Sequence, residues 1–239
     1  MADAEAPAPK RSDLGPRTAS AVVMIAVAGT ALWLGSMVWT LFVALVSAGV
    51  MWEWIRIARA GTPHPVARGL WNAGGIVYVG IAGLTLVELR GADGGLHLVL
   101  TVVGAVIATD IGAYFAGRTF GGPKIAPRIS PSKTWSGLLG GMTAASAVLA
   151  GLTLYAARVP GLAGIERMAW IPALYGALLA VVAQVGDFFE SWMKRRAGVK
   201  DSSRLIPGHG GLFDRVDGLL SVCFVLGLFY IALKAQGYT

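Results

Sequence analysis

The sequence predicts an all-α, polytopic integral membrane protein, on three observations. Hydrophobic residues make up 55% of the 239 and charged residues only 14%, with a mean hydropathy of +0.65. A soluble domain has too little polar surface to cover that much apolar side chain. The apolar residues gather into about seven runs close to the ~20 residues that a helix needs to cross a hydrocarbon core at ~1.5 Å per residue. The basic residues, finally, fall almost entirely between alternate runs.

Taken in order, residues 1–18 are rich in Ala and Pro with mixed charge and read as a disordered cytoplasmic tail, which leaves 19–239 as a single transmembrane domain. From Ser20 to Trp52 the chain is apolar almost throughout. One helix of that length would run about 50 Å against a core of ~30 Å, so the turn offered by Gly35 and Ser36 divides it into crossings near 19–34 and 37–54. The run is too long for a secretory signal peptide and lacks a small-residue cleavage site followed by polar sequence. In MWEWIRIARA, which closes this pair, Trp52 and Trp54 read as interfacial anchors on either side of Glu53. Further crossings fall near 69–88, 96–117, 135–157, 169–189 and 216–233. The single cysteine, Cys223, lies in the last of them as a small core residue and excludes a disulfide within one chain.

This count of crossings sorts the charges. Lys10, Arg11 and Arg17 precede the first pair and Arg56, Arg59 and Arg68 follow it; the loops holding Arg118, Lys124, Arg128 and Lys133, and then Lys194 to Arg215, fall on the same side. Of the 20 Lys and Arg residues, only Arg90, Arg158, Arg167 and Lys234 fall on the other. By the positive-inside rule the N-terminus and the basic loops are cytoplasmic and the C-terminus is outside. The pI near 9.9 is then a membrane property, suited to anionic lipid at ~1 kcal/mol per basic residue near the surface, and implies no nucleic acid.

A charge within a crossing costs at least ~2.5 kcal/mol, so each requires a reason. Asp110 and Asp187 stand toward the cytoplasmic ends of the fourth and sixth crossings, and Asp214 and Asp217 at the start of the seventh, three apart on one helical side. The topology was set by Lys and Arg alone, yet it brings all four to one face. Clustered carboxylates repel unless a cation neutralises them, and oxygen donors select a hard divalent ion, Mg²⁺ first, with room for a second cation such as K⁺. Any one aspartate has a plain alternative, Asp214 as a helix cap or Asp110 beside a basic partner; the four together do not.

Two segments carry the rest. SWMKRRAGVKDSSRLIPGHGGLFDRVD, Ser191 to Asp217, joins a basic run, a Gly-rich turn and two aspartates; DIGAYFAGRTFGGPKIAPRISPSKTWSG, Asp110 to Gly137, joins an aspartate to a Gly- and Pro-rich loop. Gly and Pro are expected to keep that loop irregular, with backbone N–H groups open to phosphate and Lys133 supplying charge. In PGHGG, His209 lies where a tight turn meets a candidate phosphate and has no second His or Cys at metal-ligand spacing. His64 and His97 are isolated.

Both segments resemble the phosphatidate cytidylyltransferases, also called CDP-diacylglycerol synthases. The first matches their pattern at Ser191, Lys194, Arg195, Lys200, Asp201, Pro207, His209, Gly210, Gly211, Asp214, Arg215 and Asp217. The second matches at Asp110, Ala113, Tyr114, Gly117, Arg118, Ser130, Pro131, Lys133, Thr134, Trp135 and Gly137. MWEWIRIARA looks like the family's first cytoplasmic turn, although fewer helices precede Asp110 than is common in that family. The resemblance implies transfer of CMP from CTP to phosphatidate, dependent on Mg²⁺, by a multi-pass enzyme of the inner membrane, a homodimer in keeping with the family, with its active site toward the cytoplasm. It implies catalytic roles for Asp214, Asp217, Lys200 and His209, metal ligation by Asp110, Asp187, Asp214 and Asp217, and substrate binding by Ser130, Lys133, Ser191, Lys194, Arg195, Arg204 and Arg215. Related CTP-using lipid enzymes, a polyprenol or phytol kinase or a CDP-archaeol synthase, share membrane aspartates but differ in acceptor, and the full match from Ser191 to Asp217 argues against them. A cation-coupled transporter is the remaining class; paired halves and a site near the midplane mark that class, and this chain shows neither.

Overall fold

The seven apolar runs fold as seven α-helices in the computed structural model, which describes residues 14–159, 162 and 164–237. They are α1 (Leu14–Leu34), α2 (Ser36–Gly61), α3 (Pro65–Gly91), α4 (Gly95–Thr119), α5 (Trp135–Ala156), α6 (Trp170–Arg196) and α7 (Phe213–Ala235). Each is long and apolar enough to cross a membrane. Of the tail expected over 1–18, the first 13 residues lie outside those described, and Leu14 to Thr18 already belong to α1.

The division of the first apolar run occurs where the sequence placed it. Gly35 takes φ 63°, ψ −154°, a conformation that a side chain all but forbids, and a Cβ there would strike the Arg90 guanidinium. Arg90 itself closes the end of α1: its Nε donates to Leu32 O at 2.9 Å and its Nη2 to Trp33 O at 3.3 Å, satisfying carbonyls the helix leaves unpaired. The ends of α1 and α3 therefore meet at one end of the bundle. At the other, Arg196 Nε at the end of α6 donates to Gly61 O at the end of α2 at 3.2 Å.

Packing is closest where small residues let backbones touch. Gly112 of α4 and Gly140 of α5 face each other, and a Cβ at Gly112 would lie 2.5 Å from Gly140 O. Ser146 Oγ of α5 donates to Ala173 O of α6 at 2.7 Å. α1 stays at the edge, with only Ala31 and Leu32 buried among its described residues.

Two expectations are corrected. Trp54 is no interfacial anchor: it is 2% exposed, donates from Nε1 to Trp71 O at 3.0 Å, and meets Tyr78, Phe189 and Phe213 with ring centroids 5.8 Å away. Residues two apart on a helix point to nearly opposite sides, so Trp52 alone faces outward, under the Arg56 guanidinium at 4.6 Å. The loop between α4 and α5 is not irregular either. It forms an antiparallel hairpin, β1 (Lys124–Ala126) with β2 (Ser130–Thr134), pairing Lys124 with Thr134 and Ala126 with Ser130. A two-stranded hairpin has an outer edge on each strand, which is where Pro131 is tolerated. Thr134 then ends β2 and caps α5, its Oγ1 accepting from Gly137 N at 3.1 Å.

Candidate active site

A cavity of about 460 Å³ opens between α4, α5, α6 and the hairpin, lined among others by Asp110, Arg118, Lys124, Lys133, Gln184 and Asp187. Each wall follows from the local fold. Asp110, Ala113, Tyr114 and Gly117 recur at the three- and four-residue spacing that puts them on one face of α4. The α5 cap fixes the end of β2, which carries Lys133 inward to form an ion pair with Asp187 and places its ammonium 5.0 Å from the Phe188 ring centre. One turn on, Ser191 Oγ donates to Asp187 Oδ1 at 3.3 Å.

The four aspartates separate into two groups. Asp110 lies within electrostatic reach of Lys133, Asp187 and Arg215, and Asp217 within reach of Asp187, Lys133 and Asp110, so three carboxylates share the field of one ammonium, which pairs directly with Asp187. Asp214 belongs to a neighbouring network. Its Oδ1 accepts from Lys194 Nζ at 2.6 Å, and its Oδ2 accepts from Ser202 N at 2.9 Å, Ser202 Oγ at 2.9 Å and Gly211 N at 2.8 Å. Lys194 also pairs with Glu190 one turn back on α6.

Among the described residues, no three His, Cys, Asp or Glu side chains come close enough to hold a metal ion by themselves. The donor set nevertheless suits one particular ion. Among the described residues Asp110 has no hydrogen-bond or ion-pair partner; it shares the cavity wall with Asp187, and Mg²⁺ characteristically binds through one or two carboxylates, completing its shell with water and substrate phosphate. Asp214 lies off this cavity wall, its two oxygens accepting from Lys194, Ser202 and Gly211, whereas the two oxygens of Asp187 accept from Lys133 and Ser191.

The remaining expected residues are spread along the rim. Lys200, Arg204 and Arg215 are exposed. Arg195 reaches Ile129 O at 3.4 Å and Val199 O at 3.5 Å, tying α6 to the hairpin, while Ser130 sits at the turn end of that hairpin, off the cavity wall. His209 Nδ1 is 2.8 Å from Ser20 Oγ, which is also 3.0 Å from Pro207 O, so the start of α1 touches the PGHGG turn.

Sequence reasoning gave no role to Glu53, Glu190, Ser202 or Ser203, all buried. Glu190 carried a readable signal, since an acid at the end of a crossing four residues before a lysine asks for that lysine as its partner. Glu53 accepts from Ser202 Oγ at 2.9 Å, Ser203 Oγ at 2.5 Å, Leu212 N at 2.9 Å and Phe213 N at 2.6 Å. Those partners are 149 to 160 residues away, beyond any local pattern.

Comparison with known proteins bears on this geometry directly. Residues 66–235 match the model of the cytidylyltransferase family. The chain is 48% identical over 160 residues to a phosphatidate cytidylyltransferase of Brucella suis, a match that covers 66% of this chain and 56% of that relative. Over 231 residues it is 36% identical to one from Pseudomonas aeruginosa, covering 91% of this chain and 76% of the relative. A Rickettsia conorii protein of the same name is 30% identical over 229 residues, 94% of each chain. The chain thus spans little more than half the length of the Brucella relatives it matches.

Proposed function

Because the chain belongs to the cytidylyltransferase family, we propose that it transfers CMP from CTP to phosphatidate, giving CDP-diacylglycerol and pyrophosphate. The observation that carries this reading is the cavity in which Asp110 and Asp187 face Lys133, flanked by Arg118 and Lys124 at the basic end of a membrane bundle. In the reaction a phosphate oxygen of phosphatidate attacks the α-phosphorus of CTP. One P–O bond forms, the bond to the β-phosphate oxygen breaks, and the electron pair leaves with pyrophosphate. A phosphate monoester near neutral pH already carries a nucleophilic oxygen, so the protein's task is placement and charge neutralisation.

Asp110 and Asp187 are the residues to hold Mg²⁺, which when bound supplies positive charge to the triphosphate oxygens. Asp217 adds negative charge beside them and leaves room in the balance for a second cation such as K⁺. Lys133, Arg118 and Lys124 neutralise CTP phosphates from the hairpin side. Lys200, Arg204 and Arg215, on the rim, attract both the anionic nucleotide and the lipid headgroup. His209, oriented by Ser20, has a second ring nitrogen to offer a phosphate. CTP arrives from water and phosphatidate from lipid, so the basic end faces the cytoplasm at the inner membrane surface.

The test is purified full-length chain in liposomes with labelled CTP, phosphatidate and Mg²⁺, scored for a CDP-lipid. A folded preparation that yields none overturns the proposal. Product from a polyprenol acceptor in place of phosphatidate would reassign the substrate.

A further inference from the structure

Glu53 of α2 lies outside the residues matched by the family model, yet it holds together the loop within the Ser191–Asp217 motif. Its carboxylate is fully buried, and among the described residues no Lys or Arg pairs with it. Four hydrogen bonds and the N-terminal end of α7 bear its charge instead. They come from the two ends of one loop, with Ser202 and Ser203 at its start and Leu212 and Phe213 at its close.

Between those ends lie Arg204, Pro207 and His209, and the tip is drawn tight by the bridge between Ile206 and Gly210. Gly211 is shaped for this contact, because a Cβ there would run into Ser202 and the Glu53 carboxylate. A cap for α7 alone needs only a Ser or Asp at position 212, where the chain has Leu with no side-chain cap. Burying a carboxylate is far more costly than that, so the charge answers a further need.

We infer that Glu53 is a positioning residue, a clasp that closes the 202–213 loop and sets its height against the cavity. Ser202 is shared between Glu53 and Asp214, so the clasp also fixes the carboxylate that holds Lys194. Glutamine cannot replace it: Leu212 N donates to Oε1 and Phe213 N to Oε2, and an amide offers only one acceptor. The catalytic part of this inference rests on the proposed cytidylyl transfer; the structural part does not.

The experiment uses full-length wild type, Glu53→Gln, Glu53→Asp and Ser203→Ala in detergent, read by amide hydrogen exchange and by steady-state kinetics with CTP and phosphatidate. Glu53→Gln should speed exchange across 202–213 by about tenfold or more, the scale of one lost charge-assisted bond, with the other helices unchanged. Its kcat should fall by a similar factor while KM for CTP moves far less, and Glu53→Asp should recover part of the loss. Unchanged local exchange with wild-type kcat overturns the inference, as does faster exchange spread evenly over the whole bundle. Should Glu53→Gln not fold, Ser203→Ala removes one of the four bonds and gives the same two readouts. If wild type makes no CDP-lipid, the activity reading fails while exchange at 202–213 still decides the clasp.

Discussion

Lys194 stands in the family motif as a substrate-binding residue, yet its surroundings give it another task. Its side chain is 12% exposed and sits between Glu190, 1% exposed, and Asp214, 7% exposed. Glu190 and Asp214 also stand against each other. Lys194→Met therefore leaves two buried carboxylates facing each other without a counter-charge, a change that costs ~3–5 kcal/mol when a buried pair is broken from one side. For a chain of this length each kcal/mol moves the unfolding midpoint by ~2–4 °C, so the variant should melt roughly 6 to 20 °C below wild type. The assay is thermal unfolding in detergent followed by near-UV circular dichroism. A second variant, Lys194→Met with Glu190→Gln, removes the excess charge and should restore at least half of the loss. Were Lys194→Met to melt within about 2 °C of wild type and only raise KM for CTP, the ammonium would be a phosphate ligand and the structural assignment wrong.

Two further outcomes follow from the same geometry. Asp187→Asn should lower kcat for CDP-lipid formation by ~10²–10³ and raise the Mg²⁺ concentration needed for half-maximal rate. Because Asp187 is 31% exposed, its loss should lower the melting temperature less than that of Lys194. Gly112→Val should destabilise by ~1–3 kcal/mol through overpacking against Gly140, visible as a lower melting temperature, and a return to wild-type stability would show that α4 and α5 separate readily.

Much of the fold was legible because the bilayer imposes its own rule: a span needs a long apolar run, and seven such runs give seven helices. The error lies at the ends. Helix α2 continues to Gly61 and α6 to Arg196, past the apolar stretches that announced them, because Arg and Lys are good helix formers and nothing stops the helix at the headgroups. The β1–β2 hairpin stayed hidden for the opposite reason. Its strands, KIA and SPSKT, carry little of the alternation or β-branched enrichment that marks strands, and pairing between them decides the conformation.

The site divides along the same line. Asp110, Asp187 and Lys133 could be gathered from sequence because charge bias sets topology, and topology sets which ends meet. What charge bias does not supply is the pairing within that end. Asp214 and Asp217 share a side of α7, yet one carboxylate serves Lys194, Ser202 and Gly211 while the other faces Asp187 and Lys133. The difference comes from which neighbour each meets: Asp214, in the first turn, meets a loop fastened by Glu53, and Asp217, one turn deeper, meets α6. A membrane site of this kind is read in two stages, the face from charge statistics and the assignment of each acid from contacts across more than a hundred residues.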